Sequence, residues 1–182
     1  MRRTCVTVGP RLLVAGALLL GAVGARAQTA KGGKIDPTWL RADATSKTVE
    51  FKLVAGLTDA NGGMNFNGFG RGGLVLTVPQ GWTVVLHYKN EDPNLPHSVE
   101  VIPEAEALPT GPVPPAFEHA ATGRLEQGFS TGQGADVRFA PGKAGPFLLF
   151  CAVPGHGAAG MWIRLAVSEA ADKPALATAA ER

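Results

Sequence analysis

Twenty-four glycines and fourteen prolines are spread through these 182 residues, and they cut the apolar sequence into short pieces. The segments rich in apolar residues between them are 48–57, 74–78, 83–89, 98–102, 135–139, 146–151 and 161–167. Each has the length of a strand and is too short for a packed helix. Val, Phe, Leu and Ile dominate the runs, often in alternation, and turn sequences such as Pro79-Gln80-Gly81-Trp82 and Pro141-Gly142-Lys143 separate them,. No long helical pattern occurs and strands do not alternate with helices. These features predict an all-β fold, an antiparallel two-sheet Greek-key β-sandwich of about seven to eight strands. Its core would be built from Val49, Phe51, Leu53, Leu74, Leu76, Val84, Leu86, Val99, Val101, Val137, Phe139, Leu148, Phe150, Ile163, Leu165 and Val167. A chain of this length suits one domain.

The ends read differently. Arg2, Arg3 and Arg11 precede and flank an apolar run over 12–23, and Ala25-Arg26-Ala27 has the form of a cleavage site. Residues 1–27 are therefore expected to be an export signal. The run is short for a bilayer, which takes about 20 residues, but left uncleaved it would be a membrane tether. The expected location is the periplasm or the outer face of the cytoplasmic membrane. Residues 28–46 are polar and read as a linker or arm, 47–168 as the folded domain, and 169–182, rich in Ala, as a disordered tail. Within the domain, 103–127 carries five prolines and reads as a long insertion with a short helix near 117–122.

Charge and cysteine content narrow the function. Arg2, Arg3, Arg11 and Arg26 belong to the signal, so the 17 Lys and Arg against 15 Asp and Glu become 13 against 15 after cleavage. No basic patch interleaved with aromatics remains, which argues against a nucleic-acid partner. Only Cys151 would survive cleavage, since Cys5 lies in the signal. A lone thiol in an exported protein needs a role as ligand, reactive group or intermolecular bridge; metal ligation would also protect it from oxidation.

A ligand role is the one its neighbours support. Cys151, His156 and Met161 follow one another at five-residue intervals through Cys151-Ala152-Val153-Pro154-Gly155-His156-Gly157-Ala158-Ala159-Gly160-Met161. A thiolate, an imidazole and a thioether on one stiff loop are soft donors. With a second imidazole they make the His₂Cys site with a weak axial Met that holds blue copper. His97, at the start of the run 98–102, is placed to be that second imidazole. One copper ion is the expected cofactor, with His97, Cys151, His156 and Met161 as ligands. His97 would be the more buried histidine, with its far ring nitrogen on a protein carbonyl, and His156 would face an apolar surface.

The residues that carry these expectations also resemble a known family. Asn65-Phe66-Asn67-Gly68, Gly72-Gly73-Leu74, Val78-Pro79-Gln80-Gly81-Trp82, Pro96-His97, the Cys151–Met161 loop and Trp162 are similar to those of the sulfocyanins, cupredoxins of the rusticyanin type. The resemblance implies a mononuclear type 1 copper held by those four ligands. It also implies a one-electron carrier serving redox proteins of a respiratory chain, such as a cytochrome or terminal oxidase, and no enzymatic activity. Ser98 stands where many cupredoxins have Asn, so the hydrogen bonding around the thiolate is an open point. A monomer is expected.

Other residues read as structural. His87 is expected on a strand surface, His119 in the insertion without a partner, and Trp82 and Trp162 in packing. Glu100, Glu104 and Glu106 are expected on a solvated strand edge. Gly68-Phe69-Gly70-Arg71-Gly72-Gly73 lacks the Lys-Ser/Thr pair of a phosphate loop and reads as a tight turn. Phe150 stands beside Cys151 and the chain has four His, too few for the extra cluster of a copper oxidase or nitrite reductase. A copper-binding or delivery protein of the periplasm is the alternative, although only Met64 and Met161 remain after the signal.

Overall fold

The computed structural model describes Met1 and residues 33–179, so the expected signal segment and the last three residues lie outside the described residues. Among the described residues nine strands form two sheets: β1 (Leu40–Asp43), β2 (Thr48–Ala55), β3 (Leu74–Pro79), β4 (Thr83–Asn90), β5 (Glu100–Pro103), β6 (Gly134–Phe139), β7 (Gly145–Phe150), β8 (Trp162–Ser168) and β9 (Ala175–Thr178). One sheet runs β1-β2-β4-β6 and the other β5-β7-β8-β3-β9. The all-β sandwich expected from the glycine and proline spacing is the fold observed.

Alternation places the core between the sheets. Val49, Phe51, Leu53 and Ala55 of β2 face Leu74, Leu76 and Val78 of β3 and Ile163, Leu165 and Val167 of β8, all buried. Burying each large side chain contributes about 1.5–3 kcal/mol. The pairing differs from the expected antiparallel arrangement at two places, since β2–β4 and β3–β8 are parallel. Alternation specifies which face of a strand is buried and is silent on its neighbour, so this could not be read from apolar pattern.

The sandwich also takes in both flanks. The arm expected over 28–46 contains β1, which pairs with β2 from Leu40↔Phe51 to Asp43↔Thr48, and Trp39 sets its ring edge-on to Phe69 at 6.5 Å. The tail expected over 169–182 contains β9, antiparallel to β3 from Leu74↔Thr178 to Thr77↔Ala175. Both are edge strands that are mostly exposed. Apart from Leu40 and Leu176, which pack partly buried against the core, backbone ladders hold them, so their apolar signature is weak,.

The insertion forms no helix near 117–122; instead it lies along β5. Val101 N–H donates to Ala120 O, and Ala116 N–H and Thr122 N–H donate to Val101 O and Val99 O. Its Leu108 and Val113 pack with Ile102, Leu148, Phe150 and Trp162 on the outer face of the second sheet. This cover buries Glu100 completely, correcting the expectation of a solvated edge there. Glu104 remains at the surface and pairs with Arg164 at 3.3 Å.

Candidate metal centre

The segment between β4 and β5 and the loop between β7 and β8 meet at one end of the sandwich, and every expected ligand lies on them. The loop is shaped by its own backbone. Cys151 N–H donates to Met161 O, and Met161 N–H donates to His156 O, both at 3.0 Å. His156 N–H closes on Val153 O, and Ala159 N–H and Gly160 N–H close on Gly155 O and Gly157 O. Gly155 and Gly160 take φ of +84° and +108°, which a residue with a Cβ adopts only with strain. The insertion tethers the loop as well, through Gly155 N–H to Thr110 O at 2.8 Å.

His97 is held by side chains. Asn90, at the end of β4, donates from Nδ2 to Leu95 O and Phe129 O at 2.8 and 2.7 Å and accepts Asp92 N–H on Oδ1 at 2.9 Å. Asp92 Oδ1 accepts the amides of Asn94 and Leu95 at 2.8 and 3.0 Å. Its Oδ2 meets His97 Nε2 at 3.1 Å. His97 N–H and O bridge to Phe129 at 3.2 and 2.7 Å. Asn90, Asp92 and His97 are all buried. The partner of the far ring nitrogen is thus a carboxylate, where a carbonyl had been expected. Sequence reasoning missed Asp92 and Asn90. The available signal was the polar run Asn90-Glu91-Asp92-Pro93-Asn94 just ahead of a candidate ligand, a sequence suited to Asx turns.

The two histidines present the same atom to the same thiol. Cys151 Sγ lies 3.9 Å from His97 Nδ1 and 3.8 Å from His156 Nδ1, and the two Nδ1 atoms are 3.1 Å apart. Among the described residues these three offer ligand atoms that all fall within 4.8 Å of one another. A trigonal centre with bonds of about 2.0–2.3 Å needs donor separations of about 3.5–3.8 Å; the two sulfur–nitrogen edges are close to this and the nitrogen–nitrogen edge is shorter, a cluster on the scale of one small cation of the kind that prefers thiolate and imidazole. Cys151 and Met161 are fully buried and His156 is half-buried.

The electrostatics favour the two imidazoles as ligands and oppose ionisation of the thiol in the absence of metal. Burial alone would raise the Asp92 carboxyl, but the Asn94 amide, the His97 ring and the Leu95 amide outweigh it and hold the carboxyl below its ordinary value. An ionised Asp92 requires the proton on His97 Nε2, which leaves Nδ1 a free lone pair facing the thiol. Burial lowers His97 despite the Asp92 charge, and burial together with the neighbouring His97 lowers His156. Both shifts favour the neutral rings that ligation needs. Burial pushes the Cys151 thiol up to about 11, against the pull of the Ser98 and Val153 amides and the Ser98 hydroxyl. That hydroxyl also donates to Leu125 O at 2.8 Å, so Ser98 ties the ligand strand to the insertion.

The remaining histidines lie elsewhere. His87 sits on the outer face of β4 with Asp136 at 2.9 Å, and His119 is exposed beside Glu118. Trp82 is buried in the core, as expected.

The chain is also similar to known proteins. The sulfocyanin (SoxE) domain family matches residues 36–178. The sulfocyanin of Sulfolobus acidocaldarius is 30% identical over 143 residues, covering 72% of this chain and 69% of that protein. Among solved structures, rusticyanin variants superpose with a TM-score of 0.50 at 22% identity over 76% of this chain and 88% of theirs. Auracyanin A, a blue copper protein of Chloroflexus aurantiacus, gives 0.48 at 21% over 66% and 99%. The family match spans β1 through β9 and includes His97, Cys151, His156 and Met161, and the chain belongs to the sulfocyanin family, blue copper proteins of cupredoxin fold.

Proposed function

We propose that this protein carries single electrons between respiratory-chain partners, a cytochrome or terminal oxidase among them, on the outer side of the cytoplasmic membrane. The observation that carries the reading is the Cys151–His97–His156 triangle, with two ring nitrogens and one sulfur 3.1–3.9 Å apart at the end of a rigid sandwich. Copper, when bound, supplies a centre that cycles between its +1 and +2 states. The chain's part is to keep the donors still. Cys151 would supply the thiolate, His97 and His156 the imidazoles, and Met161 the weak thioether donor. Strands β7 and β8 and the Asp92 carboxylate hold three of these from behind, so little rearrangement accompanies a change of charge. His156, half-buried on the loop, is the ligand closest to a docked partner and the route for the electron. Export through residues 1–27 would place the protein beside such partners.

The test uses the copper-loaded mature protein with membrane vesicles from its own organism. A carrier loses its blue band on reduction and regains it when the vesicles respire, with copper retained throughout. A delivery protein surrenders the metal to a modest chelator or to the vesicles and does not regain the band.

A further inference from the structure

The turn Gly70-Arg71-Gly72-Gly73 looks like a simple reversal in the sequence, but it packs directly on the ligand loop about ninety residues away. Arg71 N–H donates to Gly160 O at 2.8 Å and Gly72 N–H to Trp162 O at 3.0 Å. The Arg71 guanidinium donates from Nη2 to Ala159 O at 2.9 Å. Asn61 Nδ2 reaches the same carbonyl at 3.3 Å. The carbonyls of Ala159 and Gly160 before Met161 and of Trp162 after it are thus engaged from outside the loop, while the Met161 backbone bonds to Cys151 and His156.

The glycines at this junction are required by the closeness of the approach. A Cβ on Gly70 would stand 2.9 Å from Gly160 O, one on Gly160 would meet the Arg71 side chain at 2.8 Å, and one on Gly72 would meet Trp162 and Arg164 at 2.5 Å. Arg71 itself adopts φ of +50°, a left-handed conformation uncommon for a residue with a side chain. Strain of this kind persists only where the surroundings over-determine it. Here it aims the amide and the guanidinium of one residue at two successive carbonyls.

We propose that this turn is a brace for the axial side of the copper site, and that Arg71 is a positioning residue that fixes Met161 relative to Cys151. The inference rests on Met161 being the axial donor. Arg71 acts through backbone: the charge-assisted bond to Ala159 O and the amide bond to Gly160 O set where the chain enters β8, and so the height of the Met161 side chain above the plane of Cys151, His97 and His156. Its cation also adds a positive charge at the rim of the site, and the test must separate that effect from bracing.

Arg71→Met, Arg71→Gln and Arg71→Lys separate them. In the copper-loaded full chain, the ratio of the shorter- to the longer-wavelength thiolate-to-copper band reports axial geometry. In the copper-free chain, amide exchange at Gly160 and Met161 reports the brace alone. Bracing predicts an altered band ratio in Arg71→Met and exchange about tenfold faster, the scale of one lost charge-assisted bond. It also predicts recovery of both readouts in Arg71→Lys and partial recovery in Arg71→Gln. The proposal is overturned if Arg71→Met leaves both readouts unchanged. It is equally overturned if Gln and Met shift the reduction potential alike at a constant band ratio, which is the mark of charge alone. Met161→Leu is the control. Should it leave the band ratio untouched while Arg71→Met still speeds exchange, Met161 is not the axial donor and the proposed control of copper geometry falls, independently of electron-carrier function.

Discussion

His97 and His156 offer the same ring nitrogen to the same sulfur, yet the chain supports them by opposite means. His97 is fully buried and its far nitrogen is bonded to Asp92, which is fixed in turn by Asn90 and two backbone amides. His156 is half-buried, and its backbone is held by the bonds of a glycine-rich loop. Side-chain networks resist reorientation because removing one member leaves others unsatisfied in a dry interior. A backbone-shaped loop leaves its ring edge open. The difference suits a site that must hold its geometry on one side and exchange electrons on the other.

Deleting each ring gives the largest effect. His97→Gly and His156→Gly should both abolish the native blue spectrum. Added imidazole should restore a blue site in His156→Gly, where the vacated position opens outward, and fail in His97→Gly, where it is enclosed against Asp92. Absorption titrations with imidazole check this, and equal rescue of the two variants would erase the contrast.

Asp92→Asn comes next. Asp92 accepts hydrogen bonds on both oxygens, two amides on Oδ1 and His97 on Oδ2. An amide can accept on one end only and would turn a donor toward either His97 or the turn amides. We expect a loss of about 1.5–3 kcal/mol in stability, the range for bonds to a charged group, measurable by denaturant unfolding. The reduction potential should rise, because a negative charge that favours the oxidised ion has gone. A variant with unchanged stability and potential would show that the Asp92 bond is incidental.

A smaller change is expected from Met161→Leu, which removes the weakest donor and leaves Cys151 and both imidazoles in place. The blue colour should persist and the potential should rise; an unchanged potential would remove Met161 from the ligand set.

Glu100 gives the smallest expected effect. It lies under the insertion, with Oε1 accepting Val113 N–H at 3.2 Å and Oε2 without a partner. Burial raises its carboxyl above the ordinary value, against the pull of that amide. With a raised folded value, its contribution is fully present below the ordinary carboxylate value and is lost as pH rises through the folded one,. Glu100→Gln should therefore gain about 1 kcal/mol near neutral pH, roughly 2–4 °C in Tm, and nothing in acid. Thermal unfolding across pH checks this, and a gain of equal size at every pH would mean that Glu100 does not titrate in this range.

The parts of this molecule legible in its sequence were the local ones. Cys151, His156 and Met161 share one loop, so their spacing displays the chemistry directly, and β3, β4, β6, β7 and β8 stand out as short segments rich in Val, Leu, Ile and Phe between turns, some alternating and β7 continuously apolar. Strands β1 and β9 stayed hidden because an exposed edge held by backbone bonds needs no apolar face. Glu100 was misread because what covers it comes from residues 108–113, and no local pattern records that. Asp92 and Arg71 act on His97 and on the Met161 loop across tertiary contacts, and each looks in the sequence like an ordinary turn residue. That His97, Cys151 and His156 meet could be read from the sequence, whereas the residues that hold them in place could not.

The central claim is that Cys151, His97 and His156 together hold one copper ion in a trigonal site. Absorption spectroscopy of the mature protein loaded with one equivalent of cupric ion tests it most directly. The account predicts an intense band at about 600 nm from the thiolate-to-copper transition, abolished by Cys151→Ala and bleached by reduction. A stoichiometrically loaded protein that lacks the band, or that keeps it after Cys151→Ala, would contradict it.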